Sequence, residues 1–167
     1  ADFNTSVGSL SNFYPPSKNS LNNSTLAGGR TLSTGREELT HADELELSDK
    51  LKRNANAKFN RGDIDGARSL YTEALAVLPQ TTTTTTDDGG QFDKLRYCFS
   101  SLYANRAVTY YRQQHFEQSL HDCNTALAYD AVTSEKPYSR KARSLASLQR
   151  FPEAIQCLHE GITRVKG

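Results

Sequence analysis

The sequence lacks several features that would assign it to a common functional class. Its net charge is only +1 over 167 residues, which argues against the large basic surface that nucleic-acid binding requires. No apolar run approaches the roughly 18 residues of a membrane span, and no signal-peptide core is present. These absences predict no nucleic-acid partner and no membrane insertion. Methionine is also absent, so we expect a fragment of a longer protein.

Residues that carry catalysis or bind metals are sparse as well. The three cysteines are odd in number and widely spaced, which argues against a disulfide framework and favours a reducing, cytoplasmic setting. The four histidines have no metal-ligand spacing, and we find no glycine-rich phosphate loop and no nucleophile beside a base. We therefore expect no enzyme activity, no cofactor and no metal. Cys123 and Cys157 fall on registers that predict packing in a core.

The chain divides into a polar first quarter and a patterned remainder. Residues 1–40 are rich in Ser, Asn, Thr and Gly, and such a stretch buries too little apolar surface to offset its ordering entropy. We predict a flexible tail over 1–40 and a helical domain over 43–166. Within that domain the Thr81–Thr86 run, followed by two aspartates and two glycines, predicts an exposed insertion over about 80–93.

Apolar residues at helical spacing predict three helix–turn–helix units over about 48–79, 100–131 and 136–166. The units align on Ala55, Ala107 and Ala142, and small residues recur at two further aligned positions in every copy. Small residues there would let the two helices of a hairpin approach closely, and larger residues would fill the spaces between them. The further small residues are Ala67, Ser119 and Ala154, then Ala74, Ala126 and Gly161; the larger ones are Tyr71, Cys123 and Leu158, and Ile64, Phe116 and Phe151.

Polar residues recur on the first helix of each unit. Lys52 and Asn56 are four residues apart, as are Lys136 and Arg140, so each pair lies on one helix face. Asn105 occupies the middle unit. If the units stack, three cations and two amides converge in one groove. That groove would suit a peptide that ends in carboxylates, which indicates a binding module.

The repeated units resemble tetratricopeptide repeats, which are 34-residue helix–turn–helix units. The resemblance covers roughly residues 48–166 and implies an all-α fold of three repeats stacked as a right-handed superhelical solenoid. Two spacings depart from the repeat length: Ala55 and Ala107 are 52 residues apart, and Ala107 and Ala142 are 35 apart. Such arrays normally end in a capping helix, for which we find no sequence.

Three segments resemble in more detail the co-chaperone domains that hold the C-terminal Glu-Glu-Val-Asp tail of Hsp70 and Hsp90. These segments are LKRNANAKF at 51–59, LYANRA at 102–107 and KPYSRKA at 136–142. The resemblance implies a two-carboxylate clamp formed by Lys52, Asn56, Asn105, Lys136 and Arg140. It also implies a cytoplasmic, monomeric adaptor domain whose partner is the tail of Hsp70 or Hsp90.

The residue types suit that ligand. Lysine acts as a point charge, arginine can fork across two oxygens, and asparagine donates hydrogen bonds without adding charge. Phe59 and Val108 are candidates for an apolar pocket that accepts Val. Pro137 fits the first turn of a helix but disfavours helical geometry at Lys136. Arg106, Arg112 and Lys141 could form an outer basic rim or an ordinary solvated surface.

Two alternatives remain open on the sequence. The domain could be a generic repeat scaffold that binds an internal segment of a partner through its convex face or its insertion. It could also be the targeting arm of a larger enzyme.

Overall fold

The computed structural model describes residues 40–79, 89–129 and 135–166. These ranges contain six α-helices and no strand, so the predicted all-α fold is confirmed. The predicted tail, except Thr40, and the Thr81–Thr86 run lie outside the described residues. The helices are α1 (His41–Asn60), α2 (Ile64–Val77), α3 (Gly89–Arg112), α4 (Phe116–Ala128), α5 (Glu135–Ser147) and α6 (Phe151–Lys166).

The six helices form three hairpins that pack side by side. Helix α1 packs on α2, α3 on α4 and α5 on α6, and neighbouring hairpins meet through α2 with α3 and α4 with α5. Contacts also join α1 to α3 and α3 to α5. The first helices of the three hairpins are therefore neighbours, and their outer faces form one continuous surface.

The apolar residues from Phe92 to Phe99 predict that the first helix of the second unit extends before residue 100, and helix α3 has this extension and also takes in the end of the predicted insertion. It starts at Gly89 and is 24 residues long, so residues 89–93 are helical and do not belong to a loop. The physical reason is that apolar residues continue at helical spacing towards its start. Leu95 packs against a hydrophobic core cluster formed by residues of α1, α2, α3 and α4, in which Phe99 and Leu102 are buried.

All nine aligned small residues of the three hairpins are buried. Gly161 shows why size is limited: a Cβ atom there would lie 2.8 Å from the Cβ of Tyr138. Ser119 is polar, but its hydroxyl donates to the Ala107 carbonyl oxygen at 2.9 Å and lies 2.8 Å from the Ser144 hydroxyl oxygen. The prediction that small residues allow close helix packing is therefore confirmed.

The three hairpin turns share one left-handed position. Gly62 in the first turn has φ 86°, and Gln114 and Gln149 at the aligned positions have φ 62° and 60°. Glycine adopts this conformation without steric cost, whereas a residue with a Cβ atom does not. The second and third hairpins therefore keep their turn geometry at some cost in stability.

Helix α6 leaves an apolar stripe on the surface. The larger residues of the third hairpin were expected to fill its interior, but Phe151 and Leu158 are 56% and 44% exposed. Ile155 and Ile162 lie on the same stripe and are also exposed. The expectation is wrong at these positions because no helix covers α6 in the part of the chain that the structure describes.

Candidate functional site

A polar pocket opens where α1, α3 and α5 lie side by side. Its volume is about 280 Å³. Five of the seven site residues predicted from the sequence line it: Asn56, Phe59, Asn105, Val108 and Arg140. Asn60 and Tyr71 complete the lining. The structure therefore brings together one residue pair from α1, one from α3 and a cation from α5.

Asn56 is oriented by a residue of the second helix. The Tyr71 hydroxyl donates a hydrogen bond to Asn56 Oδ1 at 2.5 Å. Tyr71 is buried, and burial raises the pKa of its hydroxyl, which therefore stays a neutral donor. Because the amide oxygen of Asn56 is occupied, its NH₂ group is left to donate to a ligand.

Asn105 has a similar arrangement with Arg140. Arg140 Nη1 donates to Asn105 Oδ1 at 3.3 Å across the gap between α3 and α5. This contact again occupies the amide oxygen and leaves the NH₂ donors of Asn105 available. Both asparagines of the pocket therefore present N–H groups, which favour an anionic or carbonyl ligand.

Arg140 carries the positive charge of the pocket. Its side chain is half-buried, and burial lowers the pKa of its guanidinium, because desolvation disfavours the charged form. Among the ion pairs between described residues, none includes Arg140. A half-buried cation without a carboxylate partner is costly in the free protein, so an anion that enters the pocket gains a strong partner.

Lys52 lies beside the pocket and does not line it. Its Nζ is 2.7 Å from Asp49 Oδ1, and its side chain is only 20% exposed. The same contact lowers the pKa of the Asp49 carboxyl, through the hydrogen bond from Lys52. Lys52 lies one turn before Asn56 on α1 and therefore on the same helix face. Its charge is balanced by Asp49.

Lys136 does not line the pocket either. It is exposed, and its carbonyl oxygen accepts a hydrogen bond from the Ser139 hydroxyl at 3.1 Å. It lies within α5, which begins at Glu135. The expectation that Pro137 turns Lys136 away from helical geometry is therefore wrong, because Pro137 occupies the first turn, where its missing N–H has no partner to lose.

The three residues considered for a basic rim have separate roles. Arg106 forms two hydrogen bonds to the buried Asp122, at 2.7 and 2.9 Å, and this pair joins α3 to α4. Lys141 lines a different cavity, with Glu160 and Arg164 of α6. Arg112 alone lies near the pocket, with its Cζ 5.9 Å from the centre of the Phe59 ring.

Tyr71 is a pocket residue that sequence reasoning missed. Its register with Cys123 predicted a packing role only, and the side chain is indeed buried. The available signal was its hydroxyl, because a buried tyrosine usually requires a hydrogen-bond partner. In this pocket the partner is Asn56.

Metal-ligand clusters and membrane-spanning helices are absent from the described residues. No described group of three or more His, Cys, Asp or Glu side chains could hold a metal ion. No helix in the described ranges is both long and apolar enough to span a bilayer. All three cysteines are free thiols.

Comparisons with known proteins place the fold. No protein-family profile matches the chain. The C-terminal TPR-containing domain of a Plasmodium falciparum FK506-binding protein superposes with a TM-score of 0.65 at 20% identity, and the match covers 75% of this chain and 82% of that one. The chain folds as a tetratricopeptide-repeat domain.

Two further proteins are also similar to this chain in sequence. The first TPR of Spaghetti (RPAP3), solved with the HSP90 peptide SRMEEVD, has a TM-score of 0.57 at 25% identity and covers 71% of this chain and 79% of that one. Sperm-associated antigen 1 of Mus musculus is 30% identical over 103 residues, which are 62% of this chain and 10% of that protein. This tetratricopeptide-repeat chain spans less than a fifth of the length of the curated relatives it matches.

Proposed function

We propose that this domain is a co-chaperone-type adaptor that binds the acidic C-terminal EEVD tail of Hsp70 or Hsp90, in a cytoplasmic setting. The observation that carries the proposal is the half-buried, unpaired Arg140 guanidinium beside the free amide N–H groups of Asn56 and Asn105. Such a set of donors is complementary to carboxylates. It contains no group that would attack or deprotonate a substrate, so the proposed activity is binding.

A C-terminal aspartate suits this pocket because it presents a main-chain and a side-chain carboxylate together. The two asparagine amides donate to one carboxylate, and Arg140 can donate to the other through two N–H groups. Each charge-assisted hydrogen bond contributes about 1.5–3 kcal/mol before ordering costs. A short extended peptide would therefore bind with roughly micromolar affinity, near −8 kcal/mol.

The apolar part of the pocket suits the valine that precedes the aspartate. Phe59 and Val108 line the pocket beside the polar donors, so a small branched side chain can pack there while the carboxylates reach the amides. In this proposal Lys52 and Lys136 act as outer charges. Lys52 exchanges its contact with Asp49 for one with the peptide, and Lys136 attracts the acidic chain as it approaches.

The relative solved with the HSP90 peptide SRMEEVD supports the choice of ligand, because it shares the fold at 25% identity. That relative supports only the class of peptide. The choice of binding residues depends on the pocket of this chain.

The proposal is tested by calorimetric titration of a peptide ending in Glu-Glu-Val-Asp into the wild-type domain and Arg140→Gln. Loss of one charge-assisted contact of about 1.5–3 kcal/mol predicts a ten- to hundredfold weaker affinity. Lys141→Gln is the matched control, since it removes a cation from the adjacent position of α5 that faces another cavity. Equal affinities for wild type and Arg140→Gln would reject the pocket as the binding site.

A further inference from the structure

A second cavity, of about 530 Å³, opens between α4 and α6. Helix α5 packs against both of these helices, whereas α4 and α6 do not contact each other in the described part of the chain. We refer to this opening as the α4–α6 cavity. Its lining includes Leu127 of α4, Tyr138 and Lys141 of α5, and Glu160 and Arg164 of α6. It shares no lining residue with the polar pocket, so the two sites are separate.

The equivalent junction between α2 and α4 is bridged by an arginine of α3. Arg106 forms two hydrogen bonds to the Asp122 carboxylate of α4, at 2.7 and 2.9 Å. Its Nη1 also donates to the Thr72 hydroxyl of α2 at 3.3 Å. The Asp122 side chain is only 2% exposed. The second hairpin therefore supplies, from its own second helix, the carboxylate that a half-buried cation requires.

The third hairpin keeps the cation but lacks the carboxylate. Lys141 lies 35 residues after Arg106, which is the spacing at which the second and third hairpins align. Cys157 lies at the same spacing after Asp122, so a thiol occupies the position of the buried carboxylate. Among the ion pairs between described residues, none includes Lys141.

The charge of Lys141 still acts on the position of the missing carboxylate. Burial raises the pKa of the Cys157 thiol, and the positive charge of Lys141 opposes that rise. The thiol itself donates to the Tyr138 carbonyl oxygen at 3.4 Å, so it does not neutralise the ammonium group. Lys141 is half-buried, and an external carboxylate would therefore gain a partner that has lost part of its hydration.

The rest of the lining also suits an acidic side chain. Arg164 brings a second cation to the cavity and, like Lys141, has no ion pair among the described residues. Glu160 lines the cavity too, and its Oε1 accepts a hydrogen bond from Gln156 Nε2 at 3.1 Å. Two cations beside one carboxylate leave a net positive charge. Leu127 and Tyr138 add an apolar surface on which a neighbouring side chain of a ligand can pack.

We propose that the α4–α6 cavity binds an acidic side chain from an internal segment of a partner protein, whose carboxylate pairs with Lys141 as Asp122 pairs with Arg106. The cavity is much larger than a carboxylate group, and its apolar surface favours a peptide segment as the source. No free C-terminus is needed at this site. The domain could therefore hold a second protein segment while the polar pocket is occupied.

The test is an NMR titration of the ¹⁵N-labelled domain with an N-acetylated, C-terminally amidated peptide, Ser-Leu-Glu-Leu-Ser. The comparison peptide has Gln in place of Glu. Wild type should bind the glutamate peptide roughly fivefold more tightly, as for a partly exposed ion pair, with shifts of the amides that line the α4–α6 cavity. Lys141→Gln should bind the two peptides equally.

Cys157→Asp should also remove the preference, because it places a carboxylate beside Lys141 as in the second hairpin. Cys157→Ser is its matched control, since it introduces a neutral side chain at the same position and should keep the preference. If Cys157→Asp does not fold, Lys141→Gln decides alone. Equal binding of the two peptides by wild type, or a preference for glutamate that persists in either variant, would overturn the inference.

The result is independent of the proposed function, because neither peptide has a free C-terminal carboxylate. Arg140→Gln, which changes the polar pocket, should keep the preference for the glutamate peptide. Shifts at Asn56 and Asn105 in place of the cavity residues would also contradict the inference. Loss of the preference in Lys141→Gln together with its retention in Arg140→Gln would support two separate sites.

Discussion

The hydroxyl of Tyr71 donates to Asn56 Oδ1 at 2.5 Å. A residue buried inside the first hairpin therefore occupies the oxygen of this pocket amide and leaves its NH₂ group to a ligand. The contact links α2, which does not contribute a predicted binding residue, to the site on α1. It converts an asparagine that could accept or donate into one that donates. The chemistry of the pocket therefore depends on the packing of the hairpin beneath it.

Tyr71→Phe should weaken peptide binding while the fold is retained. Without the hydroxyl, the Asn56 amide can rotate and present its oxygen to the peptide carboxylate. Loss of one hydrogen bond of about 0.5–1.5 kcal/mol predicts an affinity two- to tenfold lower by calorimetry. Tyr110→Phe, which removes a hydroxyl outside the pocket, should bind as wild type does. Unchanged affinity in Tyr71→Phe would show that Asn56 needs no such orientation.

Asp49→Asn should strengthen binding of the acidic peptide. Asp49 occupies Lys52 at 2.7 Å in the free domain, and its removal leaves Lys52 available to the ligand. Since partly exposed ion pairs contribute about 0.2–1 kcal/mol, the affinity at low salt should rise by up to fivefold. The gain should shrink as salt is added, because screening weakens the interaction.

The matched control for that experiment is Asp65→Asn, which removes a carboxylate that pairs with Arg68 on α2. It should leave the affinity unchanged. Weaker binding by Asp49→Asn would mean that Asp49 positions Lys52 and does not compete with the peptide.

Gln114→Gly and Gln149→Gly should each stabilise the fold. Both glutamines adopt positive φ, at a cost of about 1–2 kcal/mol for a residue with a Cβ atom. The greater flexibility of glycine in the unfolded chain offsets about 0.5–1 kcal/mol of this. Urea denaturation should show a free energy of unfolding higher by about 0.5–1 kcal/mol in each variant. Gly62→Gln at the aligned position should have the opposite sign, and a loss of stability in all three would refute the account of the turns.

Cys98 and Cys123 should differ in how fast a thiol reagent modifies them. Burial raises the pKa of Cys123 to about 12, whereas Cys98 is only half-buried, with a pKa that burial also raises. A thiol reagent at pH 8 should modify Cys98 first and Cys123 only after unfolding. Fast labelling of Cys123 in the folded domain would contradict this order.

The raised pKa of Cys123 also makes the free energy of unfolding depend on pH. In the unfolded chain a cysteine titrates near 8.5, so the folded state retains the proton to higher pH than the unfolded state does. The stabilising contribution is complete below pH 8.5 and is lost as pH rises towards 12. The free energy of unfolding should therefore fall more steeply between pH 9 and 11 in wild type than in Cys123→Ala.

Much of the fold followed from spacing alone. Small residues at aligned positions such as Ala55 and Ala107 predicted hairpins, because close helix packing excludes larger side chains. The exposure of the apolar stripe on α6 could not be predicted in this way, because the spacing of Leu158 is the same whether or not another helix covers it. The start of α3 at Gly89 was missed because two glycines after an aspartate pair are typical of a turn.

The part of the candidate site that depends on which residues share a helix face could be predicted from the sequence. Helical periodicity assigned Asn56, Asn105 and Arg140 to faces that meet, and all three line the pocket. Distances between helices depend on packing that a sequence does not encode locally. For that reason the contact from Tyr71 required the structure. The pairing of Lys52 with Asp49, three residues apart on α1, follows a local helix spacing that the sequence analysis overlooked. The binding roles of all these residues remain predictions.

The central claim is that the pocket binds a free C-terminus, and the most direct measurement is a pair of calorimetric titrations. One peptide ends in Glu-Glu-Val-Asp with a free carboxylate, and the other has the same sequence with an amidated C-terminus. We predict roughly micromolar affinity for the free acid and at least tenfold weaker binding of the amide, because one charge-assisted contact is lost. Equal affinity for the two peptides would contradict the claim.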